Sequence, residues 1–375
     1  MNASPNMTEK IRKVLVQLPE VCFDFFMDIE PRTTALTRLN YAYDLRTFFT
    51  YIATNIYSFD KPVAEFTVED IARIQSRHIN MYLEYLNSYT QVIHATSRSG
   101  SNETVMRYEK QRQNGNSGKK RKLVAIRVFF RFLFKHKYIK QNPADLIEVP
   151  KIPEKAIVRL ATDEVERLFD TLEKPDQLTH RQMQYALSTH ERDVAIISLM
   201  LGTGIRVSEC VGINLSDIDW SQRRFRIIRK GGNEAILYFN REVLTALQAY
   251  RRIRESLTPL PGHEDAFFLS LQNRRISQRS VQMLVKKYAH IAAPVKHITP
   301  HKLRSTFGTS LYQKTGDIYL VADVLGHKDV NVTRRHYADM SEDKRKLAAE
   351  VTELHPKKIS PNPAAPSPAS DDATN

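Results

Sequence analysis

This chain of 375 residues has only two cysteines. Cys22 and Cys210 are far apart, each inside an apolar stretch. That argues against a disulfide framework and a zinc ribbon, and for a reducing compartment. No apolar run approaches the roughly 20 residues needed to cross a bilayer. The first residues lack the charged, apolar, small-residue order of a secretory signal. No internal repeat is present. The expectation is a soluble, cytoplasmic protein with no membrane contact. What the chain does have is positive charge: 56 Lys and Arg against 42 Asp and Glu, a net +14 with a pI near 9.6. The basic residues recur as pairs and runs at 119–122, 223–224, 229–230, 251–252, 274–275, 286–287 and 334–335. Clustered excess charge implies a polyanionic partner, with nucleic acid first.

The length suits two domains, and a hydrophobic content of 42% supports packed cores. Residues 1–10 are expected to be a flexible N-terminus. From 11 to 149 the pattern is helical. In 33–52, Leu36, Leu39, Tyr43, Leu45, Phe48, Phe49 and Ile52 form one broad apolar face. A second helix starts after Thr67, with Glu69 and Asp70 in its first turn, as the helix dipole prefers. Met81, Leu83, Tyr85 and Leu86 fit another helical face. The stretch 97–118, rich in Ser, Asn, Gln and Gly, reads as a loop with a short helix at 103–113. Then comes a basic helix over 122–137, with Leu123, Ile126, Phe129, Phe130 and Leu133 toward the core. Asn142-Pro143 ends it.

Pro150-Lys151-Ile152-Pro153 reads as an interdomain linker, taken as 150–156, held extended by its prolines. A second domain follows over 157–352. Thr162 is read as the cap of a helix with Asp163 and Glu164 in its first turn. The polar stretch 172–189 reads as an inserted loop. A strongly apolar helix at 193–201 stops at Gly202-Thr203-Gly204. Two strands, 224–229 and 234–239, flank Lys230-Gly231-Gly232-Asn233. Helices are expected at 241–255, 277–290, 300–314 and 318–325. The Pro-rich tail 353–375 is expected to be disordered.

Within the second domain lie residues that can bind, neutralise and attack a phosphate diester. Arg206 follows the Gly-Thr-Gly stop. It is either a surface arginine in a cap or a guanidinium fork aimed at phosphate. Glu209, three residues on, can orient a basic neighbour. Lys230 at the hairpin tip serves either the turn or, reaching into a DNA groove, proton transfer to a leaving oxygen. These readings stay open from sequence. Thr299-Pro300 places His301 and Arg304 in the first turns of a helix, on one face at an anion-friendly N-terminus. His327 follows Gly326, a helix stop, and is either a capping histidine or a donor to a phosphate oxygen. Tyr337, beside Arg334, Arg335 and His336, is either a packing residue or a nucleophile activated by cationic surroundings. His290, His297 and His301 do not make a metal site, since Pro300 interrupts any continuous helix and no Cys or carboxylate cluster completes the set.

In order and approximate spacing, Arg206, Lys230, His301-Lys302-Leu303-Arg304, His327 and Tyr337, with Glu209 at an additional position, resemble the signature of the tyrosine recombinase (phage integrase) family. The likeness runs from about residue 33 to 340 and is nearest to Xer-like recombinases and mobile-element integrases. It implies a mainly α fold with a small β-sheet in the C-terminal domain. Two domains form a DNA clamp, a SAM-like helical core-binding domain and a catalytic domain. It implies that Tyr337 forms a 3′-phosphotyrosyl bond, that His301 assists its proton transfer, and that Lys230 protonates the leaving 5′-oxygen. Arg206, Arg304 and His327 stabilise charge on the non-bridging oxygens. No metal or cofactor is expected. Partners implied are a double-stranded recombination site, a homotetramer in the synaptic complex and accessory DNA-bending proteins. Lys119, Lys120, Arg121, Lys122 and Arg127 are read as DNA contacts of the core-binding domain. Three departures stand out. The interval from His327 to Tyr337 is one longer than in many Xer-like members. Ser305 stands where the family often has a second His. The stretches 97–118 and 172–189 look longer than in compact Xer proteins. The competing readings are a non-catalytic DNA-binding protein on the same fold and a type IB topoisomerase-like enzyme.

Overall fold

In the computed structural model, residues 5–99, 102–153, 158–174, 179–229, 232–327 and 329–337 are described. The expected disordered tail, the second half of the linker and the hairpin-tip residue Lys230 lie outside them. The chain divides into two compact units, Met1–Lys155 and Ala156–Asn375. The fold is mainly helical with two small antiparallel sheets. Among the described residues no helix is long and apolar enough to cross a membrane.

The N-terminal unit comprises α1 (Pro5–Leu15), α2 (Val21–Ile29), α3 (Ala35–Asn55), α4 (Val68–Ala72), α5 (Ser76–Tyr85), a ribbon of β1 (Tyr89–Ser99) and β2 (Asn102–Arg112), and α6 (Asn116–Lys135). Two expectations are overturned here. The N-terminus is helical from Pro5, because Pro suits a first helical turn and Ile11, Val14 and Leu15 are buried at helical spacing. Of the stretch 97–118, read as a loop with a short helix, 97–99 and 102–112 instead lie in an antiparallel pair, in register from Tyr89↔Arg112 to Ser99↔Asn102, and 116–118 open α6. The ribbon's polar composition masked its β-branched and aromatic residues, Thr90, Val92, Ile93, Thr96, Thr104, Val105 and Tyr108, which favour strands.

Helix α3 starts where the Thr34 hydroxyl accepts from the Thr37 amide, and α4 where Thr67 and Asp70 form a capping box. Most of the expected α3 face is buried, but Leu36 and Tyr43 are exposed, as is Met81 on α5. The core is aromatic. Phe25, Phe48, Phe49, Phe129, Phe130 and Tyr82 are fully buried. Phe25 and Phe49 each meet Phe129 edge-on, with centroids 5.3 and 5.7 Å apart, the arrangement ring quadrupoles prefer.

The C-terminal unit runs α7 (Thr162–Glu173), α8 (His180–Thr203), α9 (Val207–Cys210), β3 (Ile218–Asp219), β4 (Arg224–Ile228), β5 (Glu234–Tyr238), α10 (Arg241–Ser256), α11 (Gln278–Ala292), α12 (Pro300–Thr315), α13 (Ile318–Leu325) and α14 (Val330–Tyr337). At the start of α7 the cap position is Ala161 rather than Thr162, and the Glu164 carboxylate accepts from the Ala161 amide at 2.7 Å. From His180 onward the segment read as an inserted loop is the first half of α8. No Gly or Pro interrupts 180–201, and the polar residues form a solvent face or bond back into the helix, as Thr189 does to the Tyr185 carbonyl. The expected hairpin is present as β4 and β5, with β3 added at its edge. Helices α8, α10, α11 and α12 pack around one core that includes Ile196, Met200, Phe267, Phe268, Tyr288 and Leu303.

Candidate active site

The site is assembled at the C-terminal end of α13. The chain leaves that helix through Gly326, in the left-handed region at φ +61°. The Gly326 amide donates to the Asp323 carbonyl and the His327 amide to the Ala322 carbonyl, at 2.8 and 2.9 Å. This Schellman turn requires glycine at its left-handed position and seats His327 immediately after it. The last carbonyls of such a helix lack intrahelical donors and carry its negative dipole end. Here arginines take them. Arg304, on α12 and buried, donates through Nη2 to the Leu325 carbonyl and through Nη1 to the Gly204 carbonyl at 2.6 Å. Arg206 donates through Nη2 to the Gly326 carbonyl at 3.2 Å.

Arg206 is positioned by its own turn. It occupies the cap of α9, where its amide donates to Glu209 Oε2 at 3.0 Å and its Nη1 to Glu209 Oε1 at 2.8 Å. The Glu209 side chain is nearly fully buried, whereas that of Arg206 remains about one-third exposed. A buried carboxylate and the Gly326 carbonyl thus grip a guanidinium that stays partly accessible, which fixes its orientation. Gly204, which ends α8, has φ +63°, and a Cβ there would lie 2.4 Å from the Phe307 ring and 2.8 Å from Leu325. That close approach lets Arg304 reach the Gly204 carbonyl from α12.

His327 Nδ1 lies 2.7 Å from the Thr333 hydroxyl, which is buried in α14. A partner on Nδ1 sets the ring's orientation. Pro300 opens α12, but the Thr299 hydroxyl makes no capping bond there. His301 and Arg304, expected to present ring and charge at one spot, sit at different depths. His301 is exposed at the first turn while Arg304 is buried. Ser305 donates back to the His301 carbonyl at 3.1 Å.

The structure therefore brings together Arg206, Glu209, Arg304 and His327, with His301 on the helix that carries Arg304. Tyr337 is the last residue of α14, the helix that supplies Thr333, and its side chain lies outside the described residues, as does Lys230. Thr333 and Arg229 were not identified by sequence reasoning. Arg229 donates to the Asp323 and Val324 carbonyls. Neither residue has a local signal, because each acts through a partner on another element or across a turn. Among the described residues no cluster of three or more His, Cys, Asp or Glu is placed to hold a metal ion.

In the N-terminal unit the basic run on α6 is divided. Lys122 is buried, with Nζ 3.0 Å from Asp44 Oδ1. Its charge is spent inside the unit, which corrects its reading as a DNA contact. Arg121 also reaches Asp44 at 2.8 Å but stays half exposed. Lys119 donates to Asn87 at 2.6 Å, Lys120 is exposed, and Arg127 holds the Ile147 carbonyl.

Residues 158–344 match the phage integrase family. The chain belongs to this family of tyrosine recombinases. It is 31% identical over 324 residues to Tyrosine recombinase XerC of Caldanaerobacter subterraneus subsp. tengcongensis, covering 84% of this chain and 81% of that protein. It is 32% identical over 247 residues to Tyrosine recombinase XerC of Pelobacter propionicus, covering 66% and 76%. The XerH site-specific recombinase bound to palindromic difH substrate, a post-cleavage complex, superposes with a TM-score of 0.63 at 16% identity, covering 92% of this chain and 95% of that one. The Tn1549 transposon integrase in complex with circular intermediate DNA superposes with 0.61 at 18% identity, covering 88% and 99%. Both structures share the fold.

Proposed function

We propose that this chain, a site-specific DNA strand-transferase by family, cuts and rejoins duplex DNA with Tyr337 as nucleophile. The observation that carries the reading is the convergence of Arg206 and Arg304 on successive carbonyls of the turn that seats His327. Tyr337 closes the helix that begins three residues after His327.

The Tyr337 oxygen attacks a backbone phosphorus, its proton passing with the assistance of His301. As the new P–O bond forms, the bond to the 5′-oxygen breaks, and Lys230 gives that oxygen its proton. The product is a 3′-phosphotyrosyl ester and a free 5′-hydroxyl. Attack by the 5′-hydroxyl of a partner strand reverses the chemistry and seals the DNA. One ester replaces another, so no nucleotide has to drive the exchange. Arg206, Arg304 and His327 stabilise the charge that builds on the non-bridging oxygens, where preorganised donors act most strongly. Glu209 holds Arg206 in place. Lys119, Lys120 and Arg121 contact phosphates and contribute affinity without reading sequence. The working assembly is a homotetramer pairing two duplex sites in the cytoplasm, with accessory DNA-bending proteins as further partners.

The test is a covalent-adduct assay. Incubated with duplexes carrying candidate sites, the protein yields a denaturation-resistant, protease-sensitive adduct. Tyr337→Phe binds the same DNA and yields none. An adduct formed by that variant removes Tyr337 from its role.

A further inference from the structure

Arg229 is the residue before Lys230, and its own contacts are unlike those of an ordinary hairpin-tip residue. Its main chain closes the tip. The Arg229 amide donates to the Asn233 carbonyl at 2.8 Å, and its carbonyl accepts from Gly232 at 3.0 Å. Its side chain leaves the hairpin altogether. Nη1 and Nη2 donate to the Asp323 and Val324 carbonyls, at 3.4 and 3.0 Å, across more than ninety residues of sequence. The guanidinium lies so close under the Schellman turn that a Cβ on Gly326 would come within 2.1 Å of Nη1. Its Nε is buried with no hydrogen-bond partner among the described residues. A solvated arginine would not accept that loss, so the packing against Gly326 and the two carbonyls hold the group there.

Four consecutive carbonyls at the end of α13, those of Asp323, Val324, Leu325 and Gly326, are thus divided among Arg229, Arg304 and Arg206. Two of these arginines carry proposed roles at the phosphate. The third carries none. It instead ties the tip that contains Lys230 to the same turn that the other two grip.

The geometry points to Arg229 as a positioning residue for Lys230, fixing the hairpin tip against the end of α13 so that the ammonium meets the leaving 5′-oxygen. This rests on the reading of Lys230 as the proton donor. Misplacing a catalytic group by about an ångström costs on the order of a hundredfold in rate.

The experiment compares ordinary DNA with DNA carrying sulfur in place of the 5′-bridging oxygen at the scissile phosphate. A departing thiolate needs no proton, so defects in proton donation are relieved on that substrate. Arg229→Ala is expected to slow adduct formation about a hundredfold on ordinary DNA, with DNA binding retained and with most of the rate recovered on the sulfur substrate. Arg229→Lys, which cannot span both carbonyls, shows the same relief and serves if the alanine variant folds poorly. Lys230→Ala is the reference for a lost donor, and Arg304→Ala, slow on both substrates, is the reference for lost charge stabilisation. If Lys230→Ala recovers on sulfur while Arg229→Ala and Arg229→Lys do not, Arg229 does not act through Lys230 and the proposal falls. If Lys230→Ala itself does not recover, the proton-donor reading is what fails, and the positioning role falls with it.

Discussion

Two sites, one in each unit, bury cations and balance them differently. In the N-terminal unit the Lys122 ammonium is met by a full opposite charge, the Asp44 carboxylate, which also receives Arg121. At the end of α13 in the C-terminal unit Arg206 has Glu209, while the buried Arg304 and the half-buried Arg229 donate to backbone carbonyls. A helix C-terminus offers only about half an elementary charge. The first arrangement is a closed ion pair that serves the fold. The second holds guanidinium groups through the dipoles of a helix end, an arrangement that suits the anionic centre proposed for Arg206 and Arg304. Clustered positive charge in a sequence therefore has more than one fate.

The comparison breaks most sharply at Arg304. Replacing it with Ala should lower adduct formation by about a hundred- to a thousandfold while binding, carried by many phosphate contacts, changes little; a parallel gel-shift and cleavage series checks this. Arg304→Lys should restore little, since one ammonium cannot reproduce a fork spanning Gly204 and Leu325.

Asp44→Ala probes the other unit. It strands the Lys122 ammonium in the core, and the loss should be about 3–5 kcal/mol of stability, read by denaturant unfolding. Cleavage by the folded fraction should remain near that of the parent. A large cleavage defect with unchanged stability would reverse the assignment of the two clusters.

A smaller effect is expected at Thr333→Val, which keeps the shape and removes the hydroxyl beside His327 Nδ1. One net hydrogen bond is worth about 0.5–1.5 kcal/mol, so single-turnover cleavage should fall by roughly two- to tenfold with binding and melting temperature little changed.

The two cysteines give the mildest test, one in each unit. Burial pushes both thiols up, Cys210 to about 12. Neither should react with a thiol reagent near pH 8 until its own unit opens. The sign of the pH effect follows. With folded values above the ordinary 9.0, the unfolded chain loses its protons first. This contribution to stability is complete below about pH 9 and is lost as pH rises toward the folded values. Melting curves at pH 8 and 10 check the direction.

Local signals carried much of the fold. Helix α13 was legible to the residue because Asp317 caps it and Gly326 stops it, and the β4–β5 hairpin because turn residues separate two β-branched and aromatic runs. The polar segments at β1–β2 and the start of α8 were misread because composition does not distinguish a polar ribbon or the polar face of a helix from a loop. Lys122 was misread for a different reason. Its partner lies 78 residues away, and nothing near it in sequence announces a buried carboxylate. Arg229 was visible only as half of a basic pair, since its partners lie 94 and 95 residues downstream.

The sequence alone determined the inventory of chemistry and its order along the chain, together with helix ends written in caps, prolines and glycines. These depend on neighbours a few residues away. The tertiary structure decided which cations were consumed in the core and which were gathered at the end of α13. Those choices depend on dielectric surroundings and on donors meeting acceptors as far as 120 positions along the chain, where long-range packing sets the outcome.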